Sequence, residues 1–275
     1  GIKELELVKD NEDIFGLETN IILGMIYSHL LEDFGISSEF IKKHPFSNSP
    51  LAHYFQGIIL QKSHQSEAAR KLWLSDKVNI PFKTYLIAES YLQQGQYGKS
   101  ITYFQNFLKN FSGLTSNKDA YLKITLAYKF QGIQSKYKQY LELAQKSEAN
   151  QSEVDKNAQK IIDSIESVNE NMLQIRFAID GGFHQEAGTL IKNLSTSDLN
   201  ELELIELEYR IARMEQLNGL TERAIESYRT VISSSELIEE TYFAPNSYLQ
   251  LGYIQRVLGN DIMAKTYFER VLSFK

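Results

Sequence analysis

Apolar positions recur along this chain at helical spacing, as paired stripes with a short polar turn between them. From Thr84 to Phe111 the sequence reads TYLIAESYLQQGQYGKSITYFQNFLKNF. Tyr85, Ala88 and Tyr91 form one stripe, and Ser100, Phe104 and Phe107 form a second, each at i, i+3 or i+4 spacing. Gln94-Gly95-Gln96 lies between them, so the stretch predicts two antiparallel helices joined at a glycine. Ser247 to Phe274 repeats the design with Tyr248, Leu251 and Gly252, a turn at Gly259, then Ala264, Phe268 and Val271. Leu207 to Ile232 repeats it again with Ile211 and Ala212, Gly219, then Ala224, Tyr228 and Val231.

Weaker copies extend the periodicity. His53 to Ile80 contributes Gly57, Ala69 and Trp73, with Pro81 after it. Tyr121 to Lys146 contributes Ile124, Tyr128, Gly132, Leu141 and Ala144, and Asn171 to Leu194 contributes Ile175, Gly182, Ala187 and Ile191. Two regions break step. Near the start, Leu17 to Asp33 predicts a helix and Ser37 to Lys43 a short one, before Ser47-Asn48-Ser49-Pro50 interrupts the pattern. In the middle, the polar run Ser147 to Glu153 precedes a helix over Asp155 to Ser167 striped by Ala158, Ile161, Ile162 and Ile165. The run Glu201 to Glu208 alternates acidic and apolar residues as a strand would. It leads directly into a good helical stripe, so a helix with a solvated acidic face is expected there.

The motif shared by the clear copies is a large residue, an apolar–small pair, a turn glycine, an alanine and then an aromatic. It resembles the tetratricopeptide repeat family. The resemblance implies an all-α fold, a right-handed α-solenoid of about six helical hairpins. Small residues such as Gly252 and Ala264 let the paired helices approach to about 8–10 Å. The turn glycines are spaced slightly wider than the usual ~34 residues. Four segments are expected: an irregular helical cap over 1–48, a first repeat group over 49–146, a bridging helix or hinge over 147–167, and a second repeat group over 168–275.

Composition narrows the function. The chain has 275 residues, 43% hydrophobic and 23% charged, enough for a substantial core. The net charge of -6 argues against general binding to nucleic acid, where basic side chains must neutralise phosphates. No cysteine is present, which removes disulfides, thiol nucleophiles and thiolate metal sites. The five histidines form no HExxH and no tight cluster, and no P-loop or GxSxG occurs. Gly181-Gly182 follows no strand and is expected to be a turn. No apolar run reaches the roughly 18 residues of a membrane span. The compartment stays open, either the cytoplasm or outside it after removal of a leader. No enzyme activity, cofactor or metal is expected.

The resemblance also implies a binding surface, because first helices line the inner groove of such arrays. Register places Tyr54, Tyr85, Glu89, Lys129 and Phe130 there in the first group. It places Arg176, Tyr209, Arg213, Tyr253 and Arg256 there in the second. Tyrosine and arginine dominate interface hot spots. Family members that bind acidic chaperone tails need lysine, asparagine and arginine at set groove positions. Tyr85, Glu89, Leu122 and Lys123 stand there instead, which argues against that ligand. The expected function is a protein- or peptide-binding scaffold. The alternatives are a peptide- or ligand-sensing regulatory array, or a subunit that forms homo-oligomers through its repeat ends.

Overall fold

The computed structural model describes residues 1–113, 115–148, 152–235, 238 and 242–274. Within the described residues there are sixteen α-helices, one 3₁₀ turn and no strand. The expected class, all-α and built of helical hairpins, is what the chain adopts. Glu201 to Glu208 is the opening of a helix, as its continuity with the following stripe predicts. Residues 149–151 of the expected central break, and Lys275 at the end of the expected second repeat group, lie outside the described residues.

The chain forms two compact units, Gly1–Phe183 and His184–Lys275. Unit 1 opens with α1 (Ile2–Glu6), α2 (Ile14–His29) and α3 (Phe34–Lys42). Three hairpins follow: α4 (Pro50–Lys62) with α5 (Ser66–Ser75), α6 (Pro81–Gln93) with α7 (Tyr97–Asn110), and α8 (Asn117–Phe130) with α9 (Gln134–Lys146). Unit 1 ends with α10 (Glu153–Asp163) and α11 (Glu170–Gly181). Unit 2 holds α12 (His184–Asn193), then the hairpins α13 (Glu201–Leu217) with α14 (Thr221–Ser235) and α15 (Phe243–Val257) with α16 (Asp261–Val271).

Four of the described hairpins, α8–α9 excepted, share one device. A small residue on the first helix faces a large ring on the second. A Cβ on Gly57 would stand 2.1 Å from the Trp73 indole nitrogen, and one on Gly252 would stand 2.4 Å from the Phe268 ring. Ala88 with Phe104, and Ala212 with Tyr228, occupy the same spacing and are fully buried. Gly95, Gly132, Gly219 and Gly259 turn the hairpins at φ between 70° and 77°, which only glycine adopts without strain. In the α4–α5 turn His64 takes that conformation instead, at φ 56°.

Caps set several helix starts. Ser49 accepts the Ala52 amide at 3.2 Å with Pro50 in the first turn, and Asn200 and Glu203 form a reciprocal capping box. Such a cap contributes about 1 kcal/mol. α15 starts at Phe243, upstream of the Ser247 expected from the stripe. Pro245 falls in its first turn, where a missing N–H costs nothing.

The compact units divide after Phe183 rather than in the polar stretch 147–167, and local contacts give the reason. α10 packs on α8 and α9. Its Asp155 carboxylate, fully buried, accepts the backbone amides of Ser116 at 2.7 Å and Asp119 at 3.1 Å. It thereby caps α8 from outside the hairpin. Lys118 of α8 is also buried and donates to Gln159 of α10. α11 packs on α6. The hairpin expected over Asn171 to Leu194 therefore places its first helix in unit 1 and its second in unit 2.

Candidate functional site

A polar row crosses the first helices of three successive hairpins in unit 1. Lys123 on α8 donates to Glu89 on α6, to Tyr85 Oη at 2.9 Å, and lies 2.9 Å from Asp119 Oδ2. Tyr85 in turn donates to Asp119, and Gln61 on α4 donates to Glu89 at 3.3 Å. Burial opposes the charge on Lys123, yet Asp119 and Glu89 outweigh it and hold the ammonium pKa well above the ordinary lysine value. Burial, reinforced by the Asp119 charge, likewise pushes the Tyr85 phenol well above its ordinary 10.0. One ammonium bridging two carboxylates at this depth holds together only as a set, since removal of a member strands the others.

The rings of this face are also engaged internally. Phe82 stacks on Tyr85 at 5.1 Å, and Phe104 and Phe107 meet Tyr85 edge-on at 5.4 and 5.3 Å. Tyr54 is half-buried and its carbonyl accepts the Trp73 indole N–H at 3.1 Å. Lys129 donates to the Ile165 carbonyl at 3.1 Å and lies 3.6 Å from Glu170 at the start of α11.

In unit 2 the corresponding row has different chemistry. Arg213 on α13 donates to Gln216 at 3.0 Å and to Gln250 on α15. Gln216 also donates to Gln250 at 3.2 Å and accepts the Tyr228 hydroxyl at 2.6 Å. The Arg256 guanidinium lies over the Tyr253 ring at 5.2 Å, and Tyr253 meets Phe268 edge-on at 5.4 Å. Both rows sit on first helices because those helices face each other across successive hairpins, α6 with α8 and α13 with α15.

The structure thus sorts the sequence candidates. Tyr85 and Glu89 belong to one buried set. Arg213, Tyr253 and Arg256 stand on adjacent helices of unit 2, each half-buried. Tyr209 is only 7% exposed and packs between Tyr228 and Phe243, so its ring serves the core. Arg176 lies on α11 in unit 1, 3.7 Å from Asp180. Sequence reasoning did not single out Asp119, Gln61, Asp155, His64 or Phe177. The i, i+4 spacing of Asp119 and Lys123 was an available signal for the first of them. In the described residues no group of three histidines or carboxylates could hold a metal ion, and no helix is long and apolar enough to cross a membrane.

No curated protein is a detectable relative of the chain. Two stretches match family models, each described as Tetratricopeptide repeat: residues 85–113, which span α6 and α7, and residues 245–275, which span α15 and α16. One match falls in each unit, on a hairpin where a small residue meets a ring. The copies outside those matches keep the same device at Gly57–Trp73 and Ala212–Tyr228. The chain thus carries tetratricopeptide repeats at residues 85–113 and 245–275, one in each unit.

Proposed function

We propose that the chain is a non-enzymatic scaffold that holds a protein or peptide segment on the first-helix face of unit 2. Tetratricopeptide repeats mediate interactions between proteins, and that general role sets the class. The observation that carries the finer reading is the Arg213–Gln216–Gln250 row beside the Tyr253–Arg256 pair. Within unit 2 Arg213 donates to amide oxygens. A carboxylate from a partner makes charge-assisted, bidentate bonds to a guanidinium, and arginine is among the residues favoured at binding hot spots. Tyr253 supplies an adjoining ring of low side-chain entropy. The ligand class is therefore a segment with an acidic side chain or a terminal carboxylate next to an apolar residue.

The test is a pull-down from the source cell with the native chain and an Arg213→Ala/Arg256→Ala chain as parallel baits. A partner captured by the native bait and lost by the variant, at unchanged helical circular dichroism, is the expected outcome. Equal capture by both would reject this face.

One observation favours a second reading, assembly of the chain with itself through its last hairpin. Val257 and Ile262, on either side of the α15–α16 turn, are 81% and 88% exposed, and Leu272, past the far end of α16, is 83% exposed. Light scattering decides it: a dimer abolished by Ile262→Glu supports assembly, and a monomer at all concentrations removes it.

A further inference from the structure

The irregular cap that precedes the repeat hairpins encloses a cavity. A space of about 600 Å³ opens between α1, α2 and α3 and the segments that follow α1 and α3. Small-molecule sites occupy roughly 300–1,000 Å³. Buried polar side chains fix one wall. His44, 5% exposed, accepts the Phe46 amide at Nδ1, so Nε2 carries the hydrogen and donates to the Asn11 carbonyl at 2.9 Å. Asn20, 6% exposed, donates through Nδ2 to the carbonyls of Lys9 at 2.6 Å and Gly16 at 2.8 Å. A Cβ on Gly16 would stand 1.9 Å from the Asn11 carbonyl oxygen, so the segment lies directly on α2. These ties hold the chain between α1 and α2 as a rigid side of the cavity.

The lining is chemically one-sided. Asn20 Nδ2 is engaged on two backbone carbonyls, and among the described residues no donor reaches its Oδ1, although the side chain lines the cavity. Tyr27 and Phe40, with ring centroids 5.2 Å apart, supply half-buried aromatic walls. Glu6, Asp10 and Glu12 line the space from exposed positions, with Lys9 as a single opposing charge beside them. Lys43, which also lines it, lies 3.6 Å from Glu39. Water satisfies the Asn20 oxygen but leaves both rings wetted, so an occupant with a donor and an apolar body is favoured over solvent. The excess of carboxylate repels an anion. A neutral apolar molecule leaves Asn20 Oδ1 unmet. A cation that carries N–H groups meets the carboxylates, the amide oxygen and the ring faces together.

We propose that this cavity binds a small organic cation, an ammonium or guanidinium on a short apolar body. Its N–H groups donate to Asn20 Oδ1, its charge faces Glu6, Asp10 and Glu12, and its body lies against Tyr27 and Phe40. The cap builds this site without a repeat hairpin, so the inference does not rest on the scaffold reading and the two fail separately.

The probe is phenethylammonium, titrated by calorimetry into the full chain, with phenylacetate as its anionic counterpart. Two variants accompany the native chain. Glu6→Gln/Asp10→Asn/Glu12→Gln changes exposed side chains only, and Ile36→Trp fills the cavity from a position 47% exposed. The expected result is saturable binding of phenethylammonium, about tenfold tighter than phenylacetate, weakened about tenfold by the triple variant and abolished by Ile36→Trp. Absence of saturable binding by the native chain would overturn the proposal, as would equal affinity for the two probes. Undiminished binding by Ile36→Trp at native circular dichroism would place the site elsewhere and overturn it. Should Ile36→Trp lose its helicity, the triple variant decides, and unchanged affinity there overturns it also.

Discussion

In unit 1 the row across α4, α6 and α8 sets one lysine between two carboxylates and a buried phenol, whereas the row across α13 and α15 in unit 2 sets an arginine on amides. The register is shared, but the consequences differ. The ionic row must keep all its members, because burial makes each unpaired charge costly. The arginine row is half-buried and presents guanidinium groups beside a ring, which a partner's carboxylate and apolar side chain can engage. A repeat array can thus use equivalent positions as structural clasp in one unit and as adaptable surface in another.

The sharpest way to break this comparison is to remove the cation from each row. Lys123→Met is expected to cost about 3–5 kcal/mol, because Glu89 and Asp119 lose their counter-charge. Arg213→Met removes the hydrogen bonds to Gln216 and Gln250 from a half-buried position and is expected to cost less, about 1–2 kcal/mol. Denaturant midpoints of the two variants measure the gap, and equal losses would erase the distinction drawn between the rows.

A second comparison concerns the hairpin clasp. Alanine in place of a helical glycine gains up to about 1 kcal/mol in propensity. Against that stands overpacking of about 1–3 kcal/mol where the ring cannot move. Trp73 is 1% exposed and donates to the Tyr54 carbonyl, so Gly57→Ala is expected to destabilise by about 2 kcal/mol. Phe268 is only half-buried, so its ring yields at less cost than Trp73 and Gly252→Ala is expected to be within about 1 kcal/mol of native. Thermal melts of the two chains give the order.

The smallest effect is alkaline. Burial pushes the Tyr97 and Tyr137 phenols to about 12, from an ordinary 10.0, with a hydrogen bond to Glu166 adding to the shift at Tyr137. Between those values the unfolded chain releases the protons and the folded chain retains them. Stability is therefore complete below pH 10 and declines as pH rises towards 12. The melting midpoint should fall over that interval in the native chain and fall less in Tyr137→Phe.

Much of the fold was legible because the hairpin clasp is local. Ala88 and Phe104, or Gly252 and Phe268, lie sixteen residues apart across a single hairpin turn, and the turn glycines mark where the chain reverses. The non-local ties were not legible. Asp155 caps a helix that begins well upstream of it, and nothing in its own helix distinguishes it from a solvated acid. The stripe of α11 has the period of any first helix, so sequence alone assigned it to an ordinary hairpin. Its seat on α6 depends on His64 and Gln93, which carry no periodic signal. The candidate site was legible as a set of first-helix positions. Which positions are buried was decided by their partners across helices.

The most direct test of the central claim is calorimetric titration of a captured partner segment into three chains: native, Arg213→Ala/Arg256→Ala, and Glu89→Gln. The account predicts that the arginine pair costs about 2–3 kcal/mol of binding, while Glu89→Gln binds within about twofold of native. Equal affinity for native and arginine-substituted chains, or a larger loss from Glu89→Gln, would contradict it.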